Sequence, residues 1–184
     1  MSLVEPVQRT TAPDASRVAR PVRWSQRVSP SRSVRISLSK RAVLPAKCAA
    51  TDSCHGWDDY RLLVGARFDG HPWTQEVTLE VLEPKHPATN HLDPAGWRWH
   101  DEVYQFRDLR PDARVLLRVR DGELDASAPG AKQPEFGFPL SWCFTEGAGR
   151  VFSTTLGHFP GAWESPVYLR HVAGGLAWAL GEGT

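Results

Sequence analysis

From Trp57 onward the apolar residues fall into regular rhythms; in residues 1–47 they stand isolated among Pro, Ser and Arg, and neither a helical nor a strand period persists. In "WDDYRLLVGA", Trp57, Tyr60, Leu63 and Val64 share one helical stripe, which predicts a short helix before the turn-rich "RFDGHPW". "QEVTLEVLE" alternates, turning Val77, Leu79 and Val81 to one side, which predicts a strand with one wet face, and the prolines of "EPKHPATNHLDPAG" end it. "ARVLLRVR" predicts another strand, and the small, polar "DGELDASAPGAKQPEFGF" a loop. "PLSWCFTEGAGRVFSTTLG" predicts strands over 140–144 and 150–156 joined by the turn "EGAG". The last element is the clearest. Ser165 suits an N-cap and Pro166 the first helical position, while Leu169, Val172, Ala173, Leu176 and Leu180 recur with helical spacing. A helix over 166–180 is expected to bury that stripe against a sheet and end near Gly181.

Composition sharpens the contrast between the two parts. The chain has 184 residues, 41% of them hydrophobic, which suits one ordinary domain. Its net charge of +1 conceals an asymmetry: residues 1–48 hold ten Lys or Arg against Glu5 and Asp14, and the rest carries 12 basic and 19 acidic residues. Residues 1–47 are therefore expected to form a basic, Arg/Ser/Pro-rich, disordered tail on an acidic body. Nucleic acid is a disfavoured partner, because the basic residues are interleaved with no stacking aromatics beyond Trp24. Cys48, Cys54 and Cys143 are too few and odd in number for a disulfide framework, which points to a reducing compartment. With neither an apolar leader nor a run of membrane-spanning length, the expectation is a soluble, cytoplasmic protein without a membrane partner.

The segment "ATDSCHGWDDYRLLVGARFDGHPW" resembles the trehalose-utilisation, or ThuA-like, family. The resemblance continues in the family's order through "HPAT" at 86–89, "DEVYQF" at 101–106, "LSW" at 140–142 and "GAGRVFSTTLGHFPGAWESPVYLRHVAGGLAWALG" up to Gly181. It implies an α/β domain over 48–184 with the flavodoxin-like, three-layer fold shared with class I glutamine amidotransferases. It also implies a role in the catabolism of trehalose or related disaccharides, through keto-sugar intermediates, and a small-molecule sugar as partner; a homo-oligomer is compatible with it, and no cofactor is specified. In similar proteins several βα units precede the segment matching "AATDSCHGW". Here "RAVLPAK" replaces the apolar strand and Cys48 stands where the family tends to have His. The expectation is an amino-terminal part that is missing or replaced, most simply by a shifted reading frame or a misassigned start in a GC-rich gene. Reading the DNA upstream of codon 48 in all three frames tests it.

Ligands of open α/β sheets lie beyond the carboxyl ends of strands, which selects residues in the loops that follow them. The candidates are Glu102 and His158 as proton-exchanging groups, with His55, His71, Tyr104 and Trp163 as substrate-binding residues. Imidazoles, a carboxylate and aromatic faces suit a sugar, whose C–H face packs on an aromatic plane while its oxygens exchange protons. Each also has a plainer reading: His158 as a strand-end residue bonded to backbone, His71 as a turn cap, Glu102 as a solvated carboxylate with Asp101 equally eligible, and Trp57 and Trp163 as packing residues. Trp97 and Trp99 would share a strand face and are better read as core. Cys143 sits in a strand context, so a buried hydrophobe is expected rather than a nucleophile, and the absence of a Gly-x-Cys-x-Gly elbow argues against glutamine hydrolysis. No metal site is expected, since His71, His86 and His91 lack ligand spacing. A non-catalytic sugar-binding or interaction module, or an inactive remnant, is the alternative to an enzyme.

Overall fold

A computed structural model describes residues 42–43 and 56–182. The elements are β1 (Ala42–Val43), α1 (Asp58–Val64), β2 (Arg67–Phe68), β3 (Trp73–Val81), β4 (Trp97–Val103), β5 (Phe106–Arg107), β6 (Arg114–Val119), β7 (Pro139–Glu146), β8 (Gly149–Thr154), a 3₁₀ turn (Pro160–Glu164) and α2 (Pro166–Leu180). Among the described residues, six strands form one sheet in the order β1-β8-β7-β6-β3-β4, and β2 pairs with β5 apart from it.

The pairing follows from the connections. Beyond β1, turns and loops without a crossover helix join the strands of the large sheet, and they return the chain antiparallel; parallel neighbours need a long crossover. Parallel pairing among the described residues is confined to β1 and β8, with Ala42 opposite Arg150 and Val43 opposite Val151. The outcome is a small α/β domain with a mixed, mainly antiparallel sheet, whereas the resemblance implies a three-layer, flavodoxin-like arrangement. Residues 42–43 fall within the segment read from sequence as tail. The remainder of residues 1–47, with Cys48, Cys54 and His55, lies outside the described residues.

The central strands supply the core. Leu79, Leu116, Leu117, Leu140, Trp142, Phe152 and Leu156 are buried. Trp142 turns its indole toward α1 and donates to the Val64 carbonyl at 3.0 Å, which Ser153 Oγ also reaches at 3.1 Å. Only the end of the stripe expected on α1 is fully covered: Val64 is buried and Trp57 is 56% exposed, stacked on Tyr60. Cys143 is buried in β7, as its strand context predicts, and burial pushes its thiol up.

On α2 the bounds match the expectation and the buried face does not. Ser165 Oγ accepts from the Tyr168 amide and Gly181 closes the helix in a left-handed conformation. The buried residues are Tyr168, His171, Gly175 and Ala179, while Leu169, Leu176 and Leu180 are 44, 37 and 50% exposed. Close approach explains the rotation. A Cβ at Gly174 would stand 2.1 Å from the Pro87 carbonyl oxygen, and one at Gly175 would stand 2.2 Å from the Phe152 ring. The glycine face lets the helix settle onto aromatic rings that a leucine face would hold away. Trp99 stacks on Tyr168 at 5.5 Å and Trp97 approaches His171 at 6.1 Å, so both tryptophans serve the core.

Candidate functional site

The site is built at the end of β4, where strand alternation separates neighbouring side chains. Trp99 and Asp101 take one side, and His100 and Glu102 the other, with Tyr104 two residues beyond Glu102. Main-chain bonds then fix the adjacent loop. Gln105 donates its amide to the Gly70 carbonyl and accepts from the Asp69 amide, both at 2.9 Å. Its buried side chain bonds the carbonyls of Asp69 and Gly130 and the amide of Lys132, at 2.7, 2.9 and 2.9 Å. That clasp carries His71 against Tyr104, edge to face with ring centroids 5.7 Å apart.

His158 arrives from the turn after β8. Gly157, at φ +95°, makes a turn where a Cβ would fall 2.3 Å from the Tyr168 hydroxyl. The buried carboxylate of Asp101 anchors this turn: Oδ2 accepts from the Gly157 amide at 2.7 Å and Oδ1 from the His158 amide at 3.2 Å. It also accepts from the Trp99 indole and the Glu102 amide, each at 3.0 Å. The same charge, after burial itself, helps push the Tyr168 hydroxyl up to about 12; that hydroxyl donates to the Leu156 carbonyl at 2.9 Å.

The result is a triangle of polar atoms. Tyr104 donates its hydroxyl to Glu102 Oε2 at 2.6 Å, His158 Nδ1 lies 3.1 Å from the same oxygen, and Tyr104 Oη is 3.3 Å from Nδ1. With Nδ1–H directed at a carboxylate, the imidazole is fixed in one orientation and tautomer, the logic by which an acid–base histidine is held. Glu102 is about one-sixth exposed and His158 about one-third, so reagents have access to the pair.

Of the residues singled out in the sequence, Glu102, Tyr104, His158 and His71 are thus brought together. Trp163 stands behind the turn, donating its indole N–H to the Gly157 carbonyl at 3.0 Å and packing edge-on against Tyr168. His55 lies outside the described residues. Asp101, weighed as an equal of Glu102, is instead its support; the alternation of Trp97, Trp99 and Asp101 is the signal in the sequence that could have put it on the inner side. Gln105 and Phe159 were missed, and nothing in "TLGHFPG" marks Phe159. Among the described residues, no group of three His, Cys, Asp or Glu side chains is placed to hold a metal ion.

The family model for ThuA, described as trehalose utilisation, matches residues 43–179. The chain belongs to the ThuA family. Two solved ThuA-like proteins share its fold: one from Bacteroides uniformis ATCC 8492, at 22% identity with a TM-score of 0.56, and one from Parabacteroides merdae ATCC 43184, at 18% and 0.59. The matches cover 74 and 77% of this ThuA chain but 57 and 61% of those proteins, so it spans about three fifths of their length. No curated protein matches it. None of the helices in the described residues is long and apolar enough to cross a membrane.

Proposed function

We propose that this ThuA-family chain acts on a disaccharide or keto-sugar of trehalose-type catabolism, by proton transfer at the Glu102, Tyr104 and His158 triangle. The observation that carries the reading is the sharing of Glu102 Oε2 between the Tyr104 hydroxyl and His158 Nδ1. In this reading His158 Nε2 takes the proton, Glu102 stabilises the imidazolium, and the buried Tyr104 holds the Glu102 carboxylate in place through its hydroxyl. His71 flanks the bound sugar. A two-carboxylate glycosidase is less favoured, because Asp101, beside Glu102, is engaged by main-chain and indole donors; proton abstraction next to a carbonyl needs no second carboxylate.

The finer fold assignment belongs to the same proposal. The parallel β1–β8 pairing is the edge from which a parallel, flavodoxin-like portion would continue. A reducing cytoplasmic setting suits the sparse cysteines. The test pairs a thermal-shift titration of trehalose and its keto derivative with a turnover assay. Stabilisation with turnover that Glu102→Gln and His158→Gln abolish supports catalysis. Stabilisation without turnover supports a binding module, and the absence of both responses refutes a sugar function.

A further inference from the structure

Phe159 follows His158 directly and is 36% exposed, although a phenylalanine is ordinarily more stable buried. Its ring meets the His158 imidazole at 4.9 Å and 85°, and lies 5.9 Å from His100 at 34°. Perpendicular rings make a corner, with a flat hydrocarbon wall on one side and a hydrogen-bonding heterocycle on the other. Whichever ring presents its edge, at least one face of Phe159 is not covered by His158.

The backbone that carries this corner is held from both ends. Asp101 fixes the Gly157 and His158 amides, the Phe159 carbonyl accepts from Ala162 at 3.1 Å, and the Trp163 indole locks the Gly157 carbonyl. An exposed aromatic side chain on an anchored turn has already lost much of the freedom that ligand binding would otherwise remove.

We propose that Phe159 is the stacking platform of the site, receiving the C–H face of a pyranose ring and turning a ring-edge hydroxyl toward His158. This rests on the sugar-handling reading above and specifies its ligand class as a cyclic, uncharged sugar. A neutral pyranose offers no charge to pair, so recognition relies on its two kinds of surface: an apolar C–H face suited to an aromatic plane and an equatorial rim of hydroxyls suited to imidazole. His100 flanks the platform on the same side of β4 as Glu102. An acyclic polyol carries similar hydroxyls without a flat face, which makes it the discriminating probe.

The experiment titrates the full chain with trehalose, its keto derivative and sorbitol, following amide shifts by NMR, for the wild type and for Phe159→Ala, Phe159→Leu and Phe159→Tyr. The wild type is expected to bind a cyclic sugar and to bind sorbitol far more weakly. Ala and Leu should weaken the sugar about tenfold, the upper range of an aromatic contact, and Tyr should stay within about twofold. Should Ala fail to fold, Leu keeps the bulk while removing the aromatic face. Sugar affinity unchanged in Leu, or sorbitol bound as tightly as trehalose, overturns the platform and leaves the sugar reading standing. No binding of either sugar by the wild type sinks both.

Discussion

Acidification should unfold this domain through His171, and the amount can be worked from its surroundings. The ring is fully buried where α2 crosses β8 and the 86–90 turn. Nδ1 lies 2.8 Å from the Ala88 carbonyl, which can only accept, so that nitrogen carries the proton; Nε2 then accepts from Thr154 Oγ1 at 3.2 Å. Burial, with the neighbouring His91 and His86, lowers its pKa from 6.5 to about 4, against the opposing pull of the Ala88 hydrogen bond. Between those values the unfolded chain binds a proton that the folded chain refuses. Stability is therefore complete above pH 6.5 and is lost as pH falls toward 4. A difference of roughly 2.5 pKa units corresponds to about 3 kcal/mol at full effect. That is a large share of the roughly 5–15 kcal/mol that holds a typical domain together. His86, lowered to about 4 by burial and by Arg114, adds a loss of the same sign, so the comparison must isolate one ring. His171→Gln keeps a donor and an acceptor while removing the titration. Urea unfolding at pH 7, 5.5 and 4 should show the wild type losing about 3 kcal/mol more than the variant over that span. Parallel stability curves for the two proteins would refute the argument.

Other substitutions probe other joints. Gly175→Ala drives a methyl into the Phe152 ring and should cost about 1–3 kcal/mol in urea unfolding, as overpacking does. Leu176→Gln, on the outward face of α2, should change stability by no more than about 0.5 kcal/mol; a loss above 2 kcal/mol would mean that this face is covered. Asp101→Ala strands the Gly157 and Glu102 amides and the Trp99 indole, and should destabilise by about 3 kcal/mol or more, read from the shift in thermal midpoint. Glu102→Gln should leave the midpoint nearly unchanged while reducing sugar turnover about 10²- to 10⁴-fold in a single-turnover assay.

The elements with a sustained period were legible, and those stabilised by a partner were not. The β7–β8 hairpin and the ends of α2 follow from local signals: a glycine turn, an N-cap serine, a proline and a closing glycine. β4 was not assigned, because "WRWHDEV" mixes charge and aromatic bulk; it becomes a strand through its register with β3, Trp73 opposite Val103 and Leu79 opposite Trp97. The buried face of α2 departs from the leucine spacing because the value of Gly174 and Gly175 lies in what they allow to come near, which hydrophobic periodicity does not register. At the site, residue type pointed to Glu102, Tyr104 and His158, but not to their meeting at one carboxylate oxygen. That convergence depends on contacts 54 to 57 positions apart in the chain.

Because Asp101 grips main chain rather than the side chains of Glu102 and His158, the gap between strand end and turn is set independently of what stands at 102 and 158. Directed evolution can therefore vary Glu102 and His158 one position at a time without redrawing the cleft, so long as residue 101 and the buried Tyr104 are left alone. The architecture separates the tool from its handle, and a new chemistry would be sought by exchanging the former.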